Sequence, residues 1–322
     1  MSSIYCIYHT IFLPLLISST IITLSSSSCL VMCLGLEINL ITFLPILSFP
    51  ESQFFSQSSM KYFLVQSSSS ILLLFLLIFF SPLPSSSSFL YPLIFLIMIL
   101  KSGTIPLHSC FISISNNISC PSLTLLLTCQ KLAPIFILSL LDVPFFLLFL
   151  AMTNSILGAI SGLTTQMTRL ILAYSSLSHM GCILSSMPFS STGCIFYFII
   201  YSLNTTLCLI LFSHTNSFSL NLPSLNTKTK ILKLITLLNL AGLPPLSGFT
   251  IKCFTLNLIP TNFFMLSMTL ISSSAMTLIF YLKLSFSSLF SSFPSNKPIS
   301  PDSSPLTYLF FPLFILPTLI YF

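Results

Sequence analysis

The chain has 322 residues, of which ten are Lys or Arg and four are Asp or Glu, so charged residues make up 4% against roughly 25% in an average soluble domain. Hydrophobic residues make up 55%, Phe alone numbers 33 and the mean hydropathy is +1.06. Such a chain cannot cover a water-facing surface, and it is far too apolar to stay disordered. The net charge of +6 is scattered and forms no basic patch of the kind that holds nucleic acid.

From the start of the chain, Met1 to Thr20 contains no Lys or Arg. It therefore lacks the basic n-region of a signal peptide and the Arg-rich pattern of a transit peptide. The expectation is a protein made in the compartment where it inserts.

A helix needs about 20 mostly apolar residues to cross a bilayer. On that measure the sequence predicts eleven spans. They are Ile4–Leu24, Cys29–Phe49, Lys61–Phe80, Phe89–His108, Ser119–Leu140, Phe145–Gly162, Leu170–Met187, Gly193–Phe212, Ile231–Leu258, Phe263–Phe286 and Leu306–Phe322. Serine clusters such as Ser25–Ser28, Ser67–Ser70 and Ser85–Ser88 are expected mostly at or near span ends. The longest polar stretches, Ser213–Lys230 and Ser287–Pro305, leave no room for a soluble domain, so residues 1–322 are expected to form a single polytopic all-α membrane domain.

The few charges orient the spans. Loops after even-numbered spans, or their edges, carry Lys61, Arg169, Lys228, Lys230 and Lys297, with Lys233 and Lys283 just inside adjoining helix ends. The opposite loops carry only Asp142. The positive-inside rule then places the N-terminus on the cytoplasmic or matrix side and, with an odd span count, the C-terminus opposite.

Four charges remain well inside apolar runs: Glu37, Lys101, Lys131 and Lys252. Each costs about 2.5–3.5 kcal/mol near a bilayer centre on insertion scales. They are either structural, as snorkelling lysines or one Glu–Lys pair, or a set of buried titratable groups that pass protons along a hydrated path.

The backbone beside two of the lysines favours the second reading. In Lys101-Ser-Gly-Thr-Ile-Pro-Leu-His108, and in Gly242-Leu-Pro-Pro-Leu-Ser-Gly248 ahead of Lys252, Gly and Pro interrupt an apolar span. Pro removes a backbone donor and clashes with the preceding turn, so both helices are predicted to break. Broken backbone at membrane depth survives only where protein buries it or water lines it. The two breaks fall in the fourth and ninth spans, an odd offset that gives opposite orientations, as in inverted-repeat transporters.

These residues resemble a known family. Val31-Met-Cys-Leu-Gly-Leu-Glu37-Ile-Asn-Leu, the Lys101–His108 and Gly242–Lys252 segments, Thr128-Cys-Gln-Lys131-Leu-Ala-Pro, and Gln166-Met-Thr-Arg169 through His179-Met-Gly are similar to the NADH dehydrogenase subunit 2 family of animal mitochondria. The five motifs run from the second span to the ninth, in family order and spacing. The last two spans match only in character.

The resemblance implies an antiporter-like subunit of the membrane arm of respiratory complex I, with eleven helices in two inverted repeats, each with one broken helix. First-repeat helices would span about 28–163, with the break near 101–108. The second repeat would span about 169–305, with the break near 242–252, and a C-terminal helix would occupy 306–322. In the family the glutamate at Glu37 pairs with the lysine at Lys101, Lys131 continues the hydrophilic axis and Lys252 ends it. His108 and His179 are polar links or satisfied structural histidines, and Pro106, Pro244 and Pro245 shape the breaks.

The resemblance further implies the mitochondrial inner membrane, organelle encoding, a matrix-side N-terminus, and neighbours among the other membrane-arm subunits and the lipid bilayer. Enzymatic activity would belong to the complex, the proton-translocating NADH:ubiquinone reductase. This chain shows no iron–sulfur Cys spacing and no GxGxxG. NADH, FMN, iron–sulfur clusters and ubiquinone are accordingly expected on other subunits, with no cofactor or metal here. Two other functions share parts of the pattern: a stand-alone cation/proton antiporter, active alone, and a structural spacer of the arm whose buried charges are dispensable.

Ten cysteines stand singly, mostly in apolar runs, and read as buried small hydrophobes rather than disulfide partners or metal ligands. The chain has no Trp. The family usually carries Trp where Cys29, Cys33, Cys110, Cys129, Cys182 and Cys253 stand. Six replacements of one type point to a codon effect, either a changed assignment in this lineage or a misread codon, and each thiol in place of an indole would leave a void.

Overall fold

The computed structural model describes residues 2–49, 53–80, 87–141, 143–215, 227–244 and 246–290. The predicted span Leu306–Phe322, Lys297, Asp142 and Pro245 lie outside them. The described residues form thirteen α-helices and one 3₁₀ turn, with no strand among them. The helices are α1 (Ser2–Ser25), α2 (Cys29–Ser48), α3 (Gln53–Phe80), α4 (Ser87–Ser102), α5 (Ser109–Asn117), α6 (Cys120–Leu127), α7 (Cys129–Ser139), α8 (Pro144–Thr164), α9 (Thr168–Ser186), α10 (Ser191–Thr215), α11 (Thr227–Ala241), α12 (Ser247–Leu258) and α13 (Phe264–Phe290).

Among the described residues, six segments are long and apolar enough to cross a membrane: Cys29–Ser48, Gln53–Phe79, Cys120–Ser139, Pro144–Thr164, Ser191–Ser213 and Thr261–Phe286. Shorter apolar helices cover Thr10–Ser25, Leu90–Ser102 and Ile231–Ala241. Large apolar side chains such as Ile71, Phe79, Phe145 and Met265 point outward, as a lipid-facing surface requires. The chain divides into two compact units, Met1–Phe146 and Leu147–Phe322.

In the first unit α1 packs along α2, α2 along α3, and α7 against α1 and α4. Helix α3 is longer than its predicted span, and Ser67–Ser70 lie in its middle rather than at its end. The hydroxyls explain why. Ser68 Oγ donates to the Val65 carbonyl at 3.0 Å, Ser69 to Gln66 at 2.7 Å and Ser70 to Ser67 at 2.9 Å, so the serine run satisfies itself inside one helix. Lys61 likewise sits within α3, on its exposed side.

In the second unit α9 is buried on nearly all sides. Its neighbour α8 approaches closely because small residues meet: a Cβ on Gly158 would stand 2.8 Å from the Ser178 nitrogen, and one on Gly181 2.9 Å from the Ala151 carbonyl. In hydrocarbon such small-residue contacts drive helix association. Helices α10 and α13 flank α9, and α11 packs between α10 and α13.

The predicted span Ser119–Leu140 is interrupted at Thr128, which separates α6 from α7 with φ −115° and ψ −80°. Lys131 N bonds the Thr128 carbonyl at 3.0 Å, a tighter i→i−3 turn. Pro134, inside α7, offers no N–H to the Gln130 carbonyl and crowds it. Among the cysteines whose side chains are described, nine are free, five of them buried. Cys29 and Cys33 line an apolar cavity of about 230 Å³ with Met32, Leu73, Ile94 and Leu141, the kind of void that small side chains leave. Intact mass separates the two origins of the six cysteines: 35.7 kDa establishes thiols, and a heavier chain establishes indoles.

Candidate functional site

Both predicted breaks are present, and both close in the same way. At the first, α4 ends at Ser102; Gly103 N donates to the Leu100 carbonyl and Thr104 N to Ile99, each at 3.3 Å. At the second, α11 ends at Ala241; Gly242 N donates to Asn239 at 3.1 Å and Leu243 N to Leu238 at 3.3 Å. This is the Schellman pattern, and it needs a left-handed residue. Gly103 (φ 66°) and Gly242 (φ 83°) supply it without the penalty a Cβ would bring.

A lysine stands at the C-terminal end of each half-helix. Lys101 occupies the last turn of α4 and is 8% exposed. Lys252 is half-buried on α12, but its Nζ turns inward and donates to the Ala241 carbonyl at 2.8 Å and to Thr277 Oγ1 at 3.4 Å. A cation at a helix C-terminus is favoured by the partial negative charge of the free carbonyls. Gly242 also makes room for it: a Cβ there would stand 3.2 Å from Lys252 Nζ.

In the first unit Lys131 is 1% exposed, with its Nζ 4.9 Å from the centroid of the Phe111 ring. Lys101 and Lys131 line one cavity of about 30 Å³ together with Tyr62, Gln66 and Gln130. A space of that size holds one or two waters, and these side chains are suitable partners. Around it, Tyr62 OH donates to Gln130 Oε1 at 3.0 Å, Gln130 Nε2 to Asn39 Oδ1 at 3.0 Å, and Gln66 Nε2 to the Lys101 carbonyl at 3.1 Å. Glu37 is half-buried on α2 and stands within electrostatic reach of Lys101, as does Cys33. No ion pair of 4.0 Å or less joins Glu37 to Lys101.

The second break is clamped by amides. Asn239 Oδ1 accepts from Ser247 Oγ at 2.9 Å and from Gly248 N at 2.8 Å, while its Nδ2 donates to Asn204 Oδ1 at 2.9 Å. One side chain near the end of α11 thus caps the start of α12. Nearby on α9, His179 is 3% exposed; its Nδ1 lies 2.8 Å from Tyr197 OH and its ring 5.0 Å from that of Tyr201.

The remaining expected residues take peripheral places. His108 is half-buried, with Nδ1 3.2 Å from the Pro106 carbonyl. Pro106 and Pro244 are exposed. Sequence reading passed over Tyr62, Asn39, Gln66, Gln130, Asn204 and Asn239. Their signal was an amide or phenol within an apolar run, weaker than a charge. Lys233 needs correction. Read as an edge charge, it is 3% exposed, with Nζ 5.2 Å from the centroid of Phe212. Phe212 on the neighbouring helix covers it, which its place in the sequence does not reveal.

Discontinuous helices, each with a lysine at its break, define a polytopic α-helical membrane protein of the antiporter-like class. Residues 26–278 match the family described as NADH:quinone oxidoreductase/Mrp antiporter, TM. The chain is 33% identical over 302 residues to NADH-ubiquinone oxidoreductase chain 2 of Anopheles gambiae, covering 90% of this chain and 89% of that one. Its fold is similar to a chain of respiratory complex I from Thermus thermophilus, with a TM-score of 0.79, 19% identity, and 96% and 75% of the two chains covered. A chain of the membrane-bound sulfane sulfur reductase, an archaeal respiratory membrane complex, gives a TM-score of 0.85 at 13% identity over 95% of this chain and 72% of that one. The chain belongs to the NADH:quinone oxidoreductase/Mrp antiporter family and, within it, to the NADH-ubiquinone oxidoreductase chain 2 proteins.

Proposed function

We propose that the chain is a proton-translocating core subunit of the membrane arm of a mitochondrial NADH:ubiquinone oxidoreductase, acting through Glu37, Lys101, Lys131 and Lys252. The observation that carries this reading is the cavity shared by Lys101 and Lys131, lined by Tyr62, Gln66 and Gln130. Two buried lysines on one cavity that also presents a phenol and two amides can exchange a proton through water, whereas isolated snorkelling lysines have no need of it. Quinone reduction elsewhere in the complex perturbs charge along the arm. A displacement of Glu37 relative to Lys101 then changes that lysine's hold on its proton, at about 1.36 kcal/mol per pKa unit. Lys131 passes the proton on, and Lys252 ends the axis.

The finer reading has eleven helices and two inverted repeats, supported by the identical Schellman closures at Gly103 and Gly242. The N-terminus lies on the matrix side, the chain is organelle-encoded, and its partners are the neighbouring antiporter-like subunits and lipid. NADH, FMN, iron–sulfur clusters and ubiquinone reside on other subunits. In the intact complex, Glu37→Gln or Lys131→Met lowers NADH-driven proton translocation while the chain still assembles. Full pumping by both variants overturns the reading.

A further inference from the structure

We propose that Lys233 is the access group of the second half of the chain, exchanging protons between the surface at the start of α11 and Lys252. The inference rests on the proton-translocating reading and adds a route that the four axis residues leave open.

Lys233 lies seven residues into α11, a half-helix that stops at Ala241. A lysine this near a helix start ordinarily extends to the surface. Lys233 instead is 3% exposed and held over the Phe212 ring. Burial of an ammonium costs several kcal/mol, a cost that a surface-seeking side chain avoids. Ala241, whose carbonyl holds Lys252 Nζ, lies eight residues further on, about 12 Å along the axis.

Three buried polar residues on one helix lie along that interval. Lys252 Nζ reaches Thr277 Oγ1 on α13. Tyr281 and Ser285 follow Thr277 at four-residue intervals, and all three are buried, at 2%, 0% and 1% exposure. Helix α13 follows α12 in the chain and packs along α11, so residues beyond Thr277 run back toward the start of α11. There Tyr281 and Lys233 share one electrostatic neighbour, Cys208 of α10.

The transfer balances without a redox partner. The Lys233 ammonium loses the proton that the neutral Lys252 amine gains. Each hydroxyl or water between them accepts one proton and releases another, and the reverse direction uses the same bonds.

The test compares Lys233→Arg with Lys233→Met in the intact complex reconstituted in liposomes, reading protons moved per NADH oxidised. Arg keeps the charge and the ring contact but does not deprotonate in proteins. Loss of the protons carried by this subunit in both variants supports the access role. Recovery by Arg alone makes Lys233 a structural cation and overturns the proposal, as does full pumping by both. Tyr281→Phe, which keeps the ring, serves if the lysine variants fail to assemble; reduced pumping supports the route and full pumping overturns it. Lys131→Met, measured alongside, separates the two readings. Its full pumping together with that of Glu37→Gln removes the translocation reading itself, whereas its loss beside fully pumping Lys233 variants removes only the access role.

Discussion

Lys131→Met is expected to abolish the proton translocation that depends on this subunit, while the chain remains in the complex. Met is unbranched and close to Lys in volume, and volume-conserving swaps usually cost under about 1.5 kcal/mol. The lost contact of Nζ with the Phe111 ring is offset by relief of a buried charge. Assembly should therefore be nearly unchanged, so the loss reads the chemistry of Lys131. Glu37→Gln should have a smaller effect, because Glu37 is half-buried and acts on Lys101 across space rather than through an ion pair. Acidification of the vesicle lumen per NADH oxidised, normalised to the amount of chain present, gives the answer. Lys131→Arg should resemble Lys131→Met, since its charge persists without a transferable proton.

Asn239→Leu should have the largest effect on stability. Leu matches Asn in shape and offers no polar atom. It leaves the Gly248 amide, the Ser247 hydroxyl and the Asn204 carbonyl, all buried, without this partner. Ser247 and Asn204 still reach one another at 3.4 and 3.5 Å, so the Gly248 amide is the group left unsatisfied, at about 1–3 kcal/mol, within the range that a lost buried hydrogen bond gives. Nor can Gly248 move closer to compensate, because its backbone already lies so near the Asn239 carbonyl that an added Cβ would overlap it. The expected result is a complex that loses this chain on mild heating, followed by native electrophoresis. Asn239→Asp keeps the acceptor for Ser247 and Gly248 and should release the chain at an intermediate temperature. Retention of Asn239→Leu at wild-type temperature would show that something other than the amide holds the second break together.

The breaks were readable because their cause is local. Glycine at a left-handed position, with proline two or three residues later, stops a helix whatever surrounds it. The interruption at Thr128 escaped because its nearest cause, Pro134, acts on carbonyls at or before Gln130 rather than at its own position. Ser67–Ser70 misled in the opposite direction: serine marks span ends by composition, yet its hydroxyl can bond a carbonyl three residues back and remain within a helix. The amides Asn39, Gln130, Asn204 and Asn239 escaped for a third reason. The amides they pair with lie 91 and 35 residues away along the chain, and uncharged polar residues are common enough in apolar helices to carry little signal alone.

The sequence by itself determined the membrane setting, most of the helical runs, and the two places where the helices stop. These follow from hydropathy and from backbone sterics, both of which act over a few residues. Only the tertiary structure decided which charges are buried and which of them meet. Lys101 and Lys131 share a cavity because α4 and α7 pack together, and Lys233 is buried with its Nζ 5.2 Å from the Phe212 ring. Whether a cation faces water, lipid or another titratable group depends on the helix that covers it, and that helix comes from elsewhere in the chain.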